Sequence, residues 1–198
     1  MTDAIATPVG VVGVDRETRA LRGRVQGFME EHAYPNEPVF DREDDEATEL
    51  VARLQESVKA EGLWAPFIGP DAGGTGRGFL PYAYLNEIIG RSFWAPLVFG
   101  CQAPDSGNAE LLHMFGTPEQ KERWMRPLVA GEIRSFFSMT EHNVAGSDPT
   151  LLQTRAVREG DDWVINGEKW FSTGAAGAAF GIVLAVTDPQ GDTSALAA

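Results

Sequence analysis

Residues 136–150 read FFSMTEHNVAGSDPT and residues 151–175 read LLQTRAVREGDDWVINGEKWFSTGA, and the change of period they carry decides the fold. An apolar run opens into small and hydroxyl residues, and alternation then takes over. The apolar stretch Ile133 to Met139 predicts a buried strand, while Leu152 to Arg158, Trp163 to Ile165 and Lys169 to Phe171 alternate like half-buried strands. Turn signals separate them at Glu159-Gly160-Asp161-Asp162 and at Asn166-Gly167, the Asn-Gly pair being the strongest short-range hairpin signal a sequence offers. Phe180 to Val186, FGIVLAV, predicts one more apolar strand. GAAGAA at Gly174 to Ala179 has the wrong glycine spacing for a dinucleotide loop and predicts a tight turn.

Upstream of residue 133 the period is helical. Leu21, Val25, Phe28 and Met29 form one stripe from Arg16 to His32, and Tyr34-Pro35 is expected to end that helix, because a residue before proline is pushed out of the α region. A second helix is expected from Glu43 to Glu61, with Ala47, Leu50, Val51, Leu54 and Val58 on one face, an acidic first turn and Gly62 as its C′ glycine. Gly69 to Gly78, GPDAGGTGRG, lacks both a preceding strand and a Lys-Ser/Thr ending, so it reads as a flexible connector and not as a phosphate loop. Leu80 to Arg91 predicts a third helix and Asn108 to Phe115 a fourth, with Asp105 as its N-cap. Thr117-Pro118-Glu119-Gln120 opens a fifth through a capping box, with Trp124, Met125 and Leu128 facing inward. Residues 1–14 show neither period and read as a loose arm, 15–132 as a helical domain and 133–198 as part of a β domain.

With 198 residues and 43% hydrophobic content the chain can bury a core. A formal charge of −13 argues against nucleic-acid backbones and anionic membranes as partners, since both would repel it. Cys101 is the single cysteine, which excludes an internal disulfide and fits a reducing compartment. No apolar run is long enough to span a bilayer, and the N-terminal residues show no export or organelle signal, so a cytoplasmic protein is expected.

Hydrolase signatures are missing: Ser147 lacks a G-x-S-x-G elbow, and His32, His113 and His142 are too scattered to suggest a metal site or a base. The loop Met139 to Asp148 has two readings. A strand opening into small and hydroxyl residues can present backbone polar groups to a flat cofactor, or it can be an ordinary turn capped by Asp148 before Pro149. Spacing alone leaves both open.

MTEHNVAGSDPTLLQTRAV (139–157) followed by DDWVINGEKWFSTGA (161–175) closely resembles the acyl-CoA dehydrogenase family, whose signature is a Thr-Glu-Pro loop running into Ala-Gly-Ser-Asp and then an Ile-Asn-Gly-x-Lys segment. FMEEHAYPNEPVF (28–40), EGLWAPFIGP (61–70), LNEIIGRSFWAPLVFGCQAPDSGN (85–108) and HMFGTPEQKERWMRPLVAGEIRS (113–135) resemble the same family, its long-chain-type branch in particular. The resemblance implies an α+β protein, an all-α N-terminal domain followed by the start of an antiparallel β-barrel-like domain. It also implies FAD as cofactor, α,β-dehydrogenation of an acyl-CoA thioester, electron-transfer flavoprotein as acceptor and a homo-oligomer at full length.

Residue by residue, the resemblance implies that Phe137, Ser138, Met139, Thr140, Gly146 and Ser147 line the FAD, with Thr140 bonding the isoalloxazine and Ser147 lying where cofactor and CoA thioester meet. Phe171 matches the aromatic residue that packs on the flavin ring, and Ser172 and Thr173 match residues at its polar edge. Trp170 competes with Phe171, because strand alternation lets only one of them face the ring. His142 stands where the signature has proline, which bears on the stiffness of the loop.

The chain ends at Ala198, inside the middle domain, and the family's catalytic carboxylate belongs to a C-terminal helical domain that follows, so no residue here is assigned as the base and no metal is expected. Glu141 and Asp148 read as a loop hydrogen bond and a turn cap. Two further possibilities stand beside the dehydrogenase: a non-catalytic chain whose unpaired apolar edge at Phe180 to Val186 recruits a partner, and a flavin oxidase or monooxygenase on the same fold.

Overall fold

A computed structural model describes residues 14–188. These belong to two compact units that divide between Cys101 and Gln102. The loose-arm expectation for the N-terminus, and the last residues of the β domain, lie outside the described residues apart from Val14.

The first unit is helical. α1 (Arg16–Phe28) starts at Asp15, whose carboxylate accepts the Thr18 amide at 2.6 Å, and it buries Val25 and Phe28. The chain does not stop at Pro35 as expected. Tyr34 keeps helical angles (φ −59°, ψ −42°), so the path widens into a π turn at Met29–Ala33, tightens into a 3₁₀ turn at Tyr34–Asn36 and runs into α2 (Glu37–Phe40). α3 (Asp45–Ala60) is capped by Asp44, which accepts the Ala47 amide at 3.0 Å, and it buries Ala47, Leu50, Leu54 and Val58, with Gly62 at φ +66° beyond its end. α4 (Phe79–Ile89) and α5 (Ala95–Val98) complete the unit.

The glycine-rich segment before α4 is packed, not loose. The Gly76 amide donates to Ile68 O at 2.8 Å and the Thr75 hydroxyl to Trp64 O at 2.7 Å, and a Cβ on Gly74 would lie 2.6 Å from Ala65 O. Its glycines permit close approach to backbone carbonyls.

In the second unit, α6 (Asp105–Phe115) begins three residues earlier than expected, and the N-cap position falls on Pro104. The Thr117–Gln120 capping box forms as the sequence demands, with Thr117 Oγ1 accepting the Gln120 amide and Gln120 Oε1 accepting the Thr117 amide. It opens α7 (Pro118–Gln120), which continues through a π turn at Lys121–Met125 into α8 (Arg126–Ala130) and buries Met125, Leu128 and Val129. Such a cap is worth about 1 kcal/mol.

Among the described residues four short strands follow: β1 (Ser135–Ser138), β2 (Arg155–Glu159), β3 (Asp162–Asn166) and β4 (Phe180–Val183). β2 and β3 form an antiparallel hairpin closed at Gly160-Asp161, whereas β1 and β4 pair in parallel, Ser135 opposite Phe180 through Ser138 opposite Val183. Beyond β4, the Leu184 amide donates to Ser138 O, and Val186 exchanges bonds with Thr154 O (2.8 Å) and the Ala156 amide (3.0 Å), which joins the two pairs. Among the described residues β4 has one strand neighbour, β1, and the chain beyond it bridges to β2 at Val186.

Two further expectations fail here. Lys169 to Phe171 is not a strand, and Asn166-Gly167 makes no hairpin turn. Gly167 is required for a different reason, since a Cβ there would press into Thr154 Oγ1 and lie 2.7 Å from the Thr154 Cα.

Candidate functional site

The site is built on β1 and its continuation. Asp105, at the start of α6, anchors the strand: its buried carboxylate accepts the Ser135 amide (2.8 Å), the Ser135 hydroxyl (2.7 Å), Gln102 Nε2 (2.8 Å) and the Arg134 guanidinium. Asn108, one turn on, donates from Nδ2 to Ser135 Oγ (2.9 Å) and Phe136 O (3.0 Å). Asp105 thus spends its side chain on the strand and not on the helix end.

Past β1 the chain at 138–141 is laced to the segment 169–172. Ser138 and Ser172 bond through their hydroxyls. Lys169 Nζ donates to Met139 O at 2.8 Å and to Glu141 Oε1 at 2.9 Å, and the Trp170 amide donates to Thr140 O at 3.1 Å. Glu141 closes the arrangement by accepting the Gln153 amide at 2.6 Å and the Thr154 amide at 2.8 Å. Burial alone would raise the Glu141 pKa, but hydrogen bonding from Thr154, from Lys169 and from the Gln153 amide outweighs it and brings it down to about 2.

The sequence-derived residues fall into place unevenly. Ser138 is buried against Ser172, and Phe137, Met139 and Thr140 are half-buried. Gly146 folds back on Thr140, where a Cβ would lie 3.1 Å from Thr140 Cγ2, and Ser147 stands exposed in the same turn. Asp148 caps the 3₁₀ turn Pro149–Leu151 by accepting the Thr150 amide and hydroxyl. Phe171 sits at φ +53° with 75% of its surface exposed, and Thr173 turns back so that its amide donates to Phe171 O at 2.8 Å.

Because 169–171 is not a strand, alternation does not choose between the two aromatics. Trp170 and Phe171 lie ring to ring, centroids 4.5 Å apart, and His142 packs edge-on against Trp170 at 4.3 Å. His142 therefore ties the loop to the segment 169–172 through a ring contact.

Sequence reasoning passed over Lys169, Asn108 and Ser135, and assigned Asp105 to a cap. A lysine followed directly by the aromatic pair was the one signal available for Lys169, since a cation needs a partner when it is buried.

Models of the acyl-CoA dehydrogenase N-terminal domain and middle domain match residues 15–132 and 136–197. The chain belongs to the acyl-CoA dehydrogenase family. Acyl-CoA dehydrogenase family member 11 of Gallus gallus is 44% identical over 161 residues, which is 77% of this chain and 20% of that protein. The Mycobacterium tuberculosis "Probable acyl-CoA dehydrogenase FadE2" is 44% identical over 163 residues, 78% of this chain and 39% of that one. Among solved structures, an acyl-CoA dehydrogenase from Geobacillus kaustophilus superposes with a TM-score of 0.67 at 26% identity, covering 91% of this chain and 46% of its own. An acyl-CoA dehydrogenase-like protein from Mycobacterium abscessus gives a TM-score of 0.81 at 40% identity, covering 89% and 47%. The chain spans less than half the length of each of these relatives. Its helical part and the start of its β part have the acyl-CoA dehydrogenase fold. No helix among the described residues is long and apolar enough to cross a membrane.

Proposed function

We propose that this chain supplies the flavin-holding wall of an FAD-dependent acyl-CoA dehydrogenase, with residues 15–132 as its helical domain and the residues from 133 as the first part of its middle domain. The observation that carries this reading is Phe171, an aromatic ring 75% exposed on a backbone at φ +53°. L-residues avoid that conformation at about 1–2 kcal/mol, and such strain persists where the surroundings over-determine it, often at ligand sites. Here the hydrogen bond from the Trp170 amide to the Thr140 carbonyl on one side and the Ser172–Ser138 hydroxyl hydrogen bond on the other hold it.

The residues fit a flat ring with one polar edge. Phe171 offers an apolar face, the Thr173 hydroxyl lies against the Phe171 carbonyl at 3.4 Å, and the bare Gly146 lets backbone approach the Thr140 side chain closely. Phe137, Ser138, Met139, Ser147 and Ser172 complete the proposed cofactor set, with Ser138 and Ser172 acting through their mutual bond and Ser147 also reaching toward the thioester. When bound, FAD supplies acceptance of a hydride from the acyl β-carbon. The chain's part is to seat the ring, and a hydroxyl such as that of Thr173 can donate a hydrogen bond where negative charge develops at its edge.

Glu141 does not suit the role of proton-abstracting base. A carboxylate held near pKa 2 and accepting from three donors is too weak and too fully engaged to take an α-proton. Acyl-CoA as substrate, electron-transfer flavoprotein as acceptor, a homo-oligomeric assembly and a cytoplasmic setting belong to the same proposal. Family membership supports the first three, and a single cysteine, buried at Cys101, supports the last. Titration of the protein with FAD tests the reading: uptake with a resolved bound-flavin absorption band is expected, and a protein that takes up no FAD overturns it.

A further inference from the structure

Among the described residues Lys169 is the one cation that reaches into the lacing of 138–141, and its side chain is only 10% exposed. Its ammonium bonds two loop residues at once, the Met139 carbonyl and the Glu141 carboxylate, while the amide of the next residue, Trp170, bonds the carbonyl of Thr140 between them. One dipeptide therefore fixes three successive loop residues. Ordering a lysine side chain costs rotamer freedom, and a buried ion pair is a weak source of net stability. A buried pair of this kind is better explained by the single conformation it selects.

We propose that Lys169 is a positioning residue for the flavin: by clamping Met139 and Glu141 together it sets the 139–141 loop in its cofactor-accepting shape before the cofactor arrives. This rests on the flavin reading above. Glu141 is the fixed end of the clamp, because the Gln153 and Thr154 amides hold its carboxylate from the other side. Thr140 lies at the centre, so an error in the loop moves the residue whose side chain faces Gly146. If release of the clamp lowers the competent fraction of the loop from near one to about a tenth, the apparent Kd for FAD rises about tenfold.

The test compares FAD titrations, read by flavin fluorescence and by the shape of the bound flavin absorption band, for the wild-type protein, the double variant Lys169→Met with Glu141→Gln, and Lys169→Arg. The double variant removes both charges, so no orphan charge is buried. Weakening of FAD binding by about tenfold with a blurred absorption band is expected for it, and recovery to within about threefold of wild type for Lys169→Arg, which keeps a multi-donor cation in place. A double variant that melts at lower temperature yet binds FAD with the wild-type Kd and spectrum overturns the proposal, because that is the behaviour of a merely structural pair. Should the double variant fail to fold, hydrogen exchange on the wild type decides. Trp170, Gln153 and Thr154 amides already protected without FAD support the clamp, and amides that become protected only on adding FAD overturn it. Absence of FAD uptake by the wild type is a separate result, which removes the flavin reading itself.

Discussion

The Asp105 carboxylate accepts both the amide and the hydroxyl of Ser135, at 2.8 and 2.7 Å, across 30 positions of sequence. This single side chain thereby sets where β1 begins, and with it the register of Phe137 and Ser138. Replacing it by alanine leaves the buried Ser135 donors without an acceptor and frees Gln102 and Arg134. Asp105→Ala is expected to lower unfolding free energy by about 2–4 kcal/mol, and Asp105→Asn by less, since one carbonyl oxygen remains. Urea denaturation of the two variants beside the wild type checks both.

Glu141 makes stability depend on pH in acid. Its folded-state pKa of about 2 lies below the ordinary 4.5, so its contribution is present in full above pH 4.5 and is lost as pH falls toward 2. The shift corresponds to a contribution on the order of 3 kcal/mol. Denaturant midpoints measured from pH 5 down to pH 2 are expected to fall less steeply for Glu141→Gln than for wild type, and parallel curves would falsify the assignment.

Gly167 tests the packing of the hairpin against Thr154. A methyl group there meets the Thr154 hydroxyl and lies 2.7 Å from its Cα, a backbone atom that cannot swing aside. Gly167→Ala is expected to cost about 1–3 kcal/mol, as overpacking does. Gly160, in the hairpin turn, has open space around its position but φ +66°, so Gly160→Asn is expected to be tolerated better than Gly160→Val. Thermal melts of the three variants rank them.

What the sequence makes legible is what adjacent residues decide. The change of period at Ile133, the Thr117–Gln120 capping box and the glycine after α3 all depend on neighbours within a few positions, and the structure shows them. The antiparallel hairpin was legible as well, through its Gly160-Asp161 turn. Where local and distant uses compete, the distant one wins unseen. Asp105 looks like a cap until Ser135 arrives, Asn166-Gly167 looks like a turn until Thr154 does, and Lys169 has no visible partner until Glu141 is brought beside it. The strand expected at Lys169 to Phe171 failed for a related reason: the Trp170 amide is spent on the Thr140 carbonyl and Lys169 on Met139 and Glu141, so alternation has no ladder to act on there.

Phe171 is where strain and binding part company. Its side chain is mostly exposed and touches Trp170, so truncating it removes little buried surface, while its φ of +53° is a conformation glycine adopts freely. Phe171→Gly is therefore expected to leave the FAD-free protein as stable as wild type, or more so by up to about 1 kcal/mol, the relief at φ > 0 being partly offset by the greater freedom of an unfolded glycine. Under the flavin reading the same variant loses the apolar face on which the ring rests, and FAD affinity is expected to fall by about tenfold, the equivalent of roughly 1.4 kcal/mol. Melting curves without FAD and titrations with it separate the two effects. Loss of stability in the FAD-free melt means that Phe171 serves packing, whereas unchanged stability with weakened FAD binding means that its strained backbone is kept for the ligand.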